Sequence, residues 1–209
     1  MEGYIAVDGP PGAGATALAS ALAKAGSARL VRDPAVENPF RAELAAAPAR
    51  AAFQTQIYCL LARYRQQLEL LQPELFGPTD IVCDYVFERD ALFAEVILGA
   101  EELALYRKVH ALLGGSLPTP DLFVFVTADL EVLRSRIRRL VGSADRVIKL
   151  NVLDRLAAAM NDWVFSYRKG PLLVINTSAY DFEKRPEKLE ELTEVIASHR
   201  AGVNHVRLI

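Results

Sequence analysis

The sequence predicts a single α/β domain built on a five-stranded parallel sheet that is flanked by helices. Short apolar runs alternate along the chain with longer stretches of helical periodicity, which is the pattern of a parallel sheet covered on both faces. The chain has 209 residues, enough for one domain with a sizeable core. Its composition, 52% hydrophobic and 24% charged, is that of a globular protein. We therefore expect residues 1–209 to fold as one domain.

Five apolar runs are predicted to be the strands of this sheet. They are YIAVD (4–8), ARLVR (28–32), DIVCD (80–84), LFVFV (122–126) and LLVIN (172–176). Helical periodicity is clearest over 51–72, 100–113, 147–167 and 186–199. Because ligands of open α/β sheets bind at the carboxyl ends of the strands, we expect the site at that edge.

Two of the predicted helices, 51–72 and 147–167, are apolar on too much of their surface for a single solvated face. Helices of this kind often pair with another subunit. Burial within the same domain explains the pattern equally well. The sequence leaves both interpretations open.

The composition argues against several classes of partner. A net charge of −2 and the lack of a basic block argue against polymeric nucleic acid. No run approaches the ~20 apolar residues of a membrane helix. The first residues, MEGYIAVDG, contain no signal segment, so we expect a cytoplasmic protein. Cys59 and Cys83 lie far apart in apolar stretches, which predicts reduced core thiols.

A glycine loop follows the first predicted strand. Residues 9–16, GPPGAGAT, match the phosphate-binding pattern GxxxxGK[ST] except that Ala15 replaces the lysine. Gly9, Gly12 and Gly14 would let backbone amides surround phosphates, and the Thr16 hydroxyl would hold Mg²⁺. Glycines at a strand-to-helix turn can also serve packing alone. On the loop alone, a nucleotide site and a packing turn are equally open.

Four further motifs carry a resemblance to a known family when they are taken with the glycine loop. They are RDPAVENPF (32–40), FQTQIYCLLARYRQ (53–66), CDYVFERDALFA (83–94) and RSRIRRLVGSADRVI (134–148). In this order they resemble the deoxyribonucleoside kinases, especially the bacterial deoxyadenosine/deoxyguanosine group, over essentially the whole chain.

The resemblance implies a P-loop kinase fold that uses ATP and Mg²⁺. The implied reaction is transfer of the ATP γ-phosphate to the 5′-hydroxyl of a deoxynucleoside. The resemblance also implies a homodimer packed through long helices, for which 51–72 is the candidate. A heterodimer with a related subunit is the alternative.

The resemblance assigns roles to residues on the acceptor side. Asp33 stands where the family has a carboxylate that acts as general base on the 5′-hydroxyl, although Asp33-Pro34 also suits a turn before a helix. Gln56, Arg63 and Asp90 match the residues that read the base. Gln56 and Arg63 are seven residues apart and therefore share a helical face. The amide of Gln56 offers both a donor and an acceptor to a base edge.

The donor side departs from the family pattern at several cations. Asp84 matches the metal-organising acid of the D-R-[ST] motif, but Tyr85 replaces its arginine. Leu140-Val141-Gly142 occupies the place of the R-G-R lid, and residues 41–57 contain no tyrosine for the sugar 3′-hydroxyl. The arginines near enough to substitute are Arg89, Arg138, Arg139 and Arg146, although positions on a helix surface explain them as well.

Phosphoryl transfer depends mainly on positioning and on neutralising charge, so the missing cations predict weak or lost activity. Two functions remain open at this point. One is a slow kinase that relies on substitute arginines. The other is an inactive pseudokinase that binds a nucleoside or serves as the regulatory partner of an active subunit.

Overall fold

A computed structural model of the chain describes residues 3–70, 80–113, 115, 117–140, 150–180, 185, 187–198 and 203–207. Its sheet is parallel throughout, with the strand order β2-β3-β1-β4-β5-β6. The strands are β1 (Tyr4–Asp8), β2 (Arg29–Val31), β3 (Ile81–Cys83), β4 (Leu122–Thr127), β5 (Leu172–Asn176) and β6 (Val203–Arg207). All five predicted strands are present, which confirms the fold class. The described residues add a sixth, β6, beside β5 at the edge of the sheet.

Helices connect and cover the strands. Those in the described residues are α1 (Ala15–Gly26), α2 (Arg41–Ala46), α3 (Pro48–Leu70), α4 (Arg89–Ile97), α5 (Ala100–Leu113), α6 (Leu130–Leu140), α7 (Leu150–Ser166) and α8 (Glu187–Ser198). A 3₁₀ helix also spans Pro34–Glu37. The four helices predicted from periodicity correspond to α3, α5, α7 and α8. Their predicted ends at 71–72, 147–149 and 199 lie outside the described residues.

The core lies on both faces of the sheet, because alternate residues of a strand point to opposite faces. Val124 and Val126 of β4 pack in one cluster with Leu18 and Leu22 of α1 and with residues of α8. Phe123 and Phe125 of the same strand pack in a second cluster with Met160 and Val164 of α7. The sheet is therefore covered by helices on both sides, as predicted.

Helix α3 buries one face within its own chain. Its buried residues are Ala51, Ala52, Thr55, Gln56, Cys59, Leu60, Arg63 and Gln67, and it packs against α4 and α5. Leu61 is an exception, with 47% of its surface exposed. Burial within the domain thus accounts for most of the apolar surface that the sequence gives this helix.

Two general features complete the fold. Cys59 and Cys83 are both buried free thiols. Within the described ranges, no helix has the length and apolar character needed to cross a membrane.

Candidate functional site

The backbone of the glycine loop requires glycine at three positions. Gly12 and Gly14 have φ angles of +87° and +99°, in the left-handed region that side chains disfavour. At Gly9 the obstacle is space, because a Cβ atom there would lie 1.9 Å from the carbonyl oxygen of Val126 in β4. The loop is therefore held tightly against the neighbouring strand, and this fixes its approach to any ligand.

This loop lines a cavity of about 320 Å³ at the carboxyl edge of the sheet, here called the loop cavity. Its remaining wall is formed by Asp8, Ala15, Thr16, Ala17, Asp84, Arg89, Arg136 and Arg139. Gly14 precedes α1 and provides no side-chain cap, so the first amides of this helix are open to an anion. The methyl group of Ala15 lines the cavity at the position where the loop pattern has lysine.

Asp84 and Thr16 place oxygen atoms in the same cavity. Oδ1 of Asp84 accepts a hydrogen bond of 2.6 Å from the backbone N–H of Asp33. Burial raises the pKa of Asp84 above its ordinary value, and a hydrogen bond from Thr16 works in the opposite direction. A carboxylate and a hydroxyl are the kind of hard oxygen ligands that Mg²⁺ takes, so these two residues fit a magnesium site.

Asp33 begins the 3₁₀ helix and also belongs to an ion-pair cluster. Its Oδ1 accepts from the N–H of Ala35 at 3.0 Å, so the helix-start interpretation of Asp33-Pro34 is correct. Arg63 binds both carboxylate oxygens, with Nε 3.0 Å from Oδ1 and Nη2 2.8 Å from Oδ2. Burial acts to raise the pKa of Asp33, but the charges of Arg63 and Arg89 outweigh it and lower that pKa below its ordinary value. Asp33 is therefore ionised.

Arg63 connects Asp33 to Asp90, and these three residues are here called the acceptor cluster. Nη1 of Arg63 donates to Oδ1 of Asp90, and Oδ2 of Asp90 accepts from the hydroxyl of Tyr106 at 2.7 Å. Burial opposes the charge on Arg63, but the two carboxylates raise its pKa above the ordinary value. Asp33, Arg63 and Asp90, which the resemblance assigns to the site, thus form one charged network.

Gln56 lies on the same helix as Arg63, two turns earlier, and is also buried. Its Oε1 is buried without a hydrogen-bond partner among the described residues. A buried amide oxygen of this kind costs free energy unless a ligand satisfies it. Gln56 is therefore suited to bind a polar group that enters the interior.

Arg89 and Asp8 link the glycine loop to the acceptor cluster. Nη1 of Arg89 is 3.1 Å from Oδ1 of Asp8 and 3.5 Å from Oδ2 of Asp33. Asp8 also accepts from the backbone N–H groups of Gly9 and Val86, at 2.7 and 3.1 Å. Burial raises the pKa of Asp8 to about 6, although Arg89 opposes the shift. Asp8 belongs to none of the sequence motifs; the signal that marks it is a carboxylate at the end of a buried strand.

The other candidate arginines have different positions. Arg139 lines the loop cavity, whereas Arg138 is exposed on α6 and does not contribute to the described wall. Arg136, which the sequence analysis does not propose, donates to the carbonyl oxygens of Gly12, Thr177 and Tyr180 and so braces the loop. Arg146, Val141 and Gly142 lie outside the described residues.

Tyr85 does not face the loop cavity. It is fully buried, and it packs with Val31 and Cys83. Its hydroxyl donates to Oε1 of Gln66 at 2.8 Å and accepts from Nε2 of Gln67 at 3.1 Å. The tyrosine thus serves to join β3 to α3.

Comparison with known proteins agrees with this geometry. The family model for deoxynucleoside kinase matches residues 5–200. Deoxyguanosine kinase of Bacillus subtilis (strain 168) is 28% identical over 153 residues, covering 73% of this chain and 74% of that relative. Deoxyadenosine kinase of Dictyostelium discoideum is 27% identical over 199 residues, covering 92% and 78%. A structure of deoxyadenosine kinase from M. mycoides with dCMP and dCDP superposes with a TM-score of 0.79 at 19% identity, covering 94% of this chain and 100% of that one. The chain belongs to the deoxynucleoside kinase family.

Proposed function

We propose that this protein transfers the γ-phosphate of ATP to the 5′-hydroxyl of a deoxynucleoside, at a rate that its missing cations keep low. The observation that carries the proposal is the contact between the two halves of the site. Arg89 lines the loop cavity and lies 3.5 Å from Asp33 of the acceptor cluster. Relatives named as deoxyguanosine kinase and deoxyadenosine kinase support a deoxynucleoside as the acceptor.

On the acceptor side, Gln56 with Arg63 and Asp90 would hold the base, and Asp33 would take the proton. Asp33 is ionised at neutral pH, as this role requires, and its pKa below the ordinary value makes it a weak base, which agrees with a low rate. Its Oδ2 is the oxygen nearer to Arg89 and so to the loop cavity. As the 5′-oxygen bonds to the γ-phosphorus, the bond from that phosphorus to the β–γ bridging oxygen breaks, ADP leaves, and the hydroxyl proton passes to Asp33.

On the donor side, the amides of the glycine loop and of the start of α1 would bind the phosphates. Thr16 and Asp84 would hold Mg²⁺, which when bound supplies charge neutralisation for the phosphates. Ala15 contributes no charge at the lysine position, and Tyr85 is turned into the core. Slow transfer follows from these two replacements.

A second candidate function is a nucleoside-binding protein without transfer activity, which would act as a pseudokinase or as the regulatory subunit of an active kinase. Two observations favour it. The loop has no lysine, and Arg63 already engages both carboxylate oxygens of Asp33. In this function Gln56 and the acceptor cluster would recognise the nucleoside and no proton would move.

The deciding experiment measures ADP release and deoxynucleoside binding in parallel. Purified protein is incubated with ATP·Mg²⁺ and each of the four deoxynucleosides, and binding of each is titrated by calorimetry. Transfer to any of the four deoxynucleosides, lost in Asp33→Asn, supports the kinase. Nucleoside binding without ADP release supports the second candidate. If no deoxynucleoside binds, both proposals are wrong.

We also propose a homodimer, or a heterodimer with a related subunit, in the cytoplasm. Leu61 on α3 and Leu105 and Leu112 on α5 are 47%, 52% and 84% exposed, and these two helices pack against each other. Exposed leucines on neighbouring helices favour burial against another chain.

A further inference from the structure

Arg89 stands at the boundary between the loop cavity and the acceptor cluster. It is the first residue of α4, just beyond the carboxyl edge of β3, and its side chain is only 13% exposed. Its nearest charged neighbours are Asp8, at the base of the glycine loop, and Asp33, in the acceptor cluster. A phosphoryl group that passes from donor to acceptor has to cross this boundary.

Arg89 retains hydrogen-bonding capacity that the protein does not use. Both of its described ion pairs involve Nη1, and its Nε is buried without a partner among the described residues. A guanidinium presents its donors in a fixed fork that matches phosphate oxygens. Since a buried donor without a partner is costly, an anion that satisfies Nε is favoured at this position.

The guanidinium is also held in place before any ligand arrives. Its Cζ lies 4.9 Å from the centre of the Phe93 ring, within the distance of a cation–π contact. Phe93 in turn packs against the core cluster on the α7 face of the sheet. A donor that is fixed in advance stabilises developing charge without reorganisation during the reaction.

Two other buried arginines near the site are already committed to protein groups. Arg63 is paired with the carboxylates of Asp33 and Asp90. Arg136 donates to backbone carbonyls on both sides of the loop, including those of Gly12 and Thr177. Their charges hold the scaffold together. Arg89 both lines the loop cavity and contacts the acceptor cluster through Asp33, which places it to meet a ligand.

We propose that Arg89 is a catalytic residue of this site. Its guanidinium binds the non-bridging oxygens of the γ-phosphoryl group during transfer and supplies the charge that Ala15 and Tyr85 do not. It donates hydrogen bonds and exchanges no proton, because the proton of the 5′-hydroxyl goes to Asp33 and ADP is the leaving group. This inference rests on the proposed kinase function.

The first test is steady-state kinetics of Arg89→Gln, Arg89→Lys and a matched control, Arg107→Gln. Arg107 is 61% exposed in a surface ion pair with Glu95. We expect Arg89→Gln to lower kcat by about 100-fold or more, as loss of a transition-state contact does. The KM for the deoxynucleoside should change by less than about threefold, Arg89→Lys should recover part of the rate, and Arg107→Gln should match the wild type. A kcat within threefold of wild type in Arg89→Gln overturns the inference.

A second pair of variants separates a catalytic role of Arg89 from a structural role as the cation beside Asp8. Removing Arg89 leaves the buried Asp8 carboxylate without its cation, so Arg89→Gln can lose activity by unfolding. This problem does not arise in the variants Asp8→Asn and Asp8→Asn/Arg89→Gln, since neither contains a buried Asp8 carboxylate that lacks its cation. If Arg89 is catalytic, the double variant is at least about 100-fold slower than Asp8→Asn with a similar melting temperature. If it is only structural, the two variants turn over equally and the inference is wrong.

A binding measurement distinguishes failure of this inference from failure of the kinase proposal. Calorimetry with Mg²⁺ and inorganic tripolyphosphate needs no turnover. A wild type that never releases ADP refutes the kinase, yet tighter tripolyphosphate binding by wild type than by Arg89→Gln still supports a phosphate site at Arg89. Equal binding by the two proteins, together with equal kcat where turnover exists, refutes Arg89.

Discussion

At the scale of single residues, Gln56 is a buried side chain whose polar atoms are not all satisfied by the described protein groups. Its buried Oε1 has no partner among the described residues, an arrangement that stability alone disfavours. A side chain of similar size without polar atoms would remove the penalty. A ligand that donates a hydrogen bond to Oε1 would also remove this penalty.

We predict that Gln56→Leu leaves the free energy of unfolding unchanged or raises it by about 1 kcal/mol, because the unsatisfied oxygen is removed. Deoxynucleoside affinity should fall at least about tenfold, since two hydrogen bonds to the base are lost. Urea unfolding and calorimetric titration measure the two effects. Gln54→Leu, at an exposed position of the same helix, is the control and should bind nucleoside normally. Unchanged affinity in Gln56→Leu would exclude Gln56 from the nucleoside site.

Asp8 carries the clearest pH dependence of stability. Its pKa is about 6 in the folded protein, above the usual 3.8, so the folded state binds a proton more tightly than the unfolded state. Its contribution to stability therefore decreases as pH rises from about 4 to 6 and stays low above that range. Relative to Asp8→Asn, the unfolding free energy of the wild type should fall by on the order of 1 kcal/mol between pH 5 and pH 7.5. Urea unfolding at both pH values measures this, and a wild type whose unfolding free energy falls no more than that of Asp8→Asn contradicts it.

Ala15 gives a gain-of-function prediction. Because its methyl group lines the loop cavity, Ala15→Lys would place an ammonium group among the phosphate oxygens. We expect ATP·Mg²⁺ to bind at least about tenfold more tightly, or roughly 1.4 kcal/mol, with faster turnover. Ala25→Lys, exposed at the other end of α1, adds the same charge away from the cavity and should change neither. Lack of any gain would mean that the donor site has been remodelled beyond this position.

The residues of the acceptor cluster could be predicted because each belongs to a motif with fixed spacing. The contacts of Arg89 could not, since its two carboxylate partners are distant in sequence and meet only when β1, β3 and the 3₁₀ helix come together. Asp8 does not stand out in the sequence, because a carboxylate at the end of a strand is common and has many structural roles. Its burial and its contacts with Arg89, which only the fold provides, identify it as a residue of the candidate site.

At the scale of elements, Tyr85 connects the end of β3 to α3 by packing and by hydrogen bonds. Its hydroxyl contacts two glutamines of α3, and its ring lies 5.8 Å from the guanidinium carbon of Arg63. Tyr85 stands where the resemblance expects an arginine, and in the fold it has a packing role. Replacing Tyr85 with arginine would therefore disturb the contact between β3 and α3.

We predict that Tyr85→Arg lowers the free energy of unfolding by about 3 kcal/mol or more without restoring activity. The change buries a second cation close to Arg63 and removes a fully buried ring. Tyr85→Phe is the control and should cost only about 1 kcal/mol, for the lost hydrogen bonds. Chemical denaturation measures both. A stable Tyr85→Arg protein with raised kcat would contradict this account of β3.

Strand β6 marks the limit of prediction at this scale. Four of the five predicted strands, β3, β1, β4 and β5, lie inside the sheet with both faces covered, and the resulting apolar runs are visible in the sequence. The segment VNHVR has two polar residues in its middle. An edge strand needs backbone pairing on only one side, here with β5, and it can form without a continuous apolar run. The shorter helices α2 and α4, of 6 and 9 residues, likewise give too few turns for a clear periodic signal.

At the scale of the whole molecule, alternation of strand and helix sufficed to predict the architecture, because parallel strands require crossover connections. Oligomeric state does not follow from the same pattern. Helix α3 looks apolar in sequence, yet most of its apolar surface is buried within its own chain. Among the described residues, the exposed apolar side chains that could face a partner include Leu61, Leu105 and Phe165.

We predict that the protein is a dimer in solution and that Leu61→Asp shifts it toward monomer, because a carboxylate would have to be buried in the interface. Light scattering coupled to size exclusion measures the mass directly. Val195→Asp, at a residue of α8 that is 38% exposed, is the control and should leave the mass unchanged. A monomeric wild type would exclude the dimer.

The shared use of Arg63 by Asp33 and Asp90 has a consequence for how such a site can evolve. One cation serves both the side chain that would read the base and the side chain that would accept the proton. A substitution at Asp90 that favours a different base also frees part of the charge on Arg63, which then stabilises the ionised Asp33 more strongly. Under the proposed function, base selectivity and the rate of phosphoryl transfer are therefore coupled through this one cation. Lineages that diverge in substrate should carry compensating changes around Asp33.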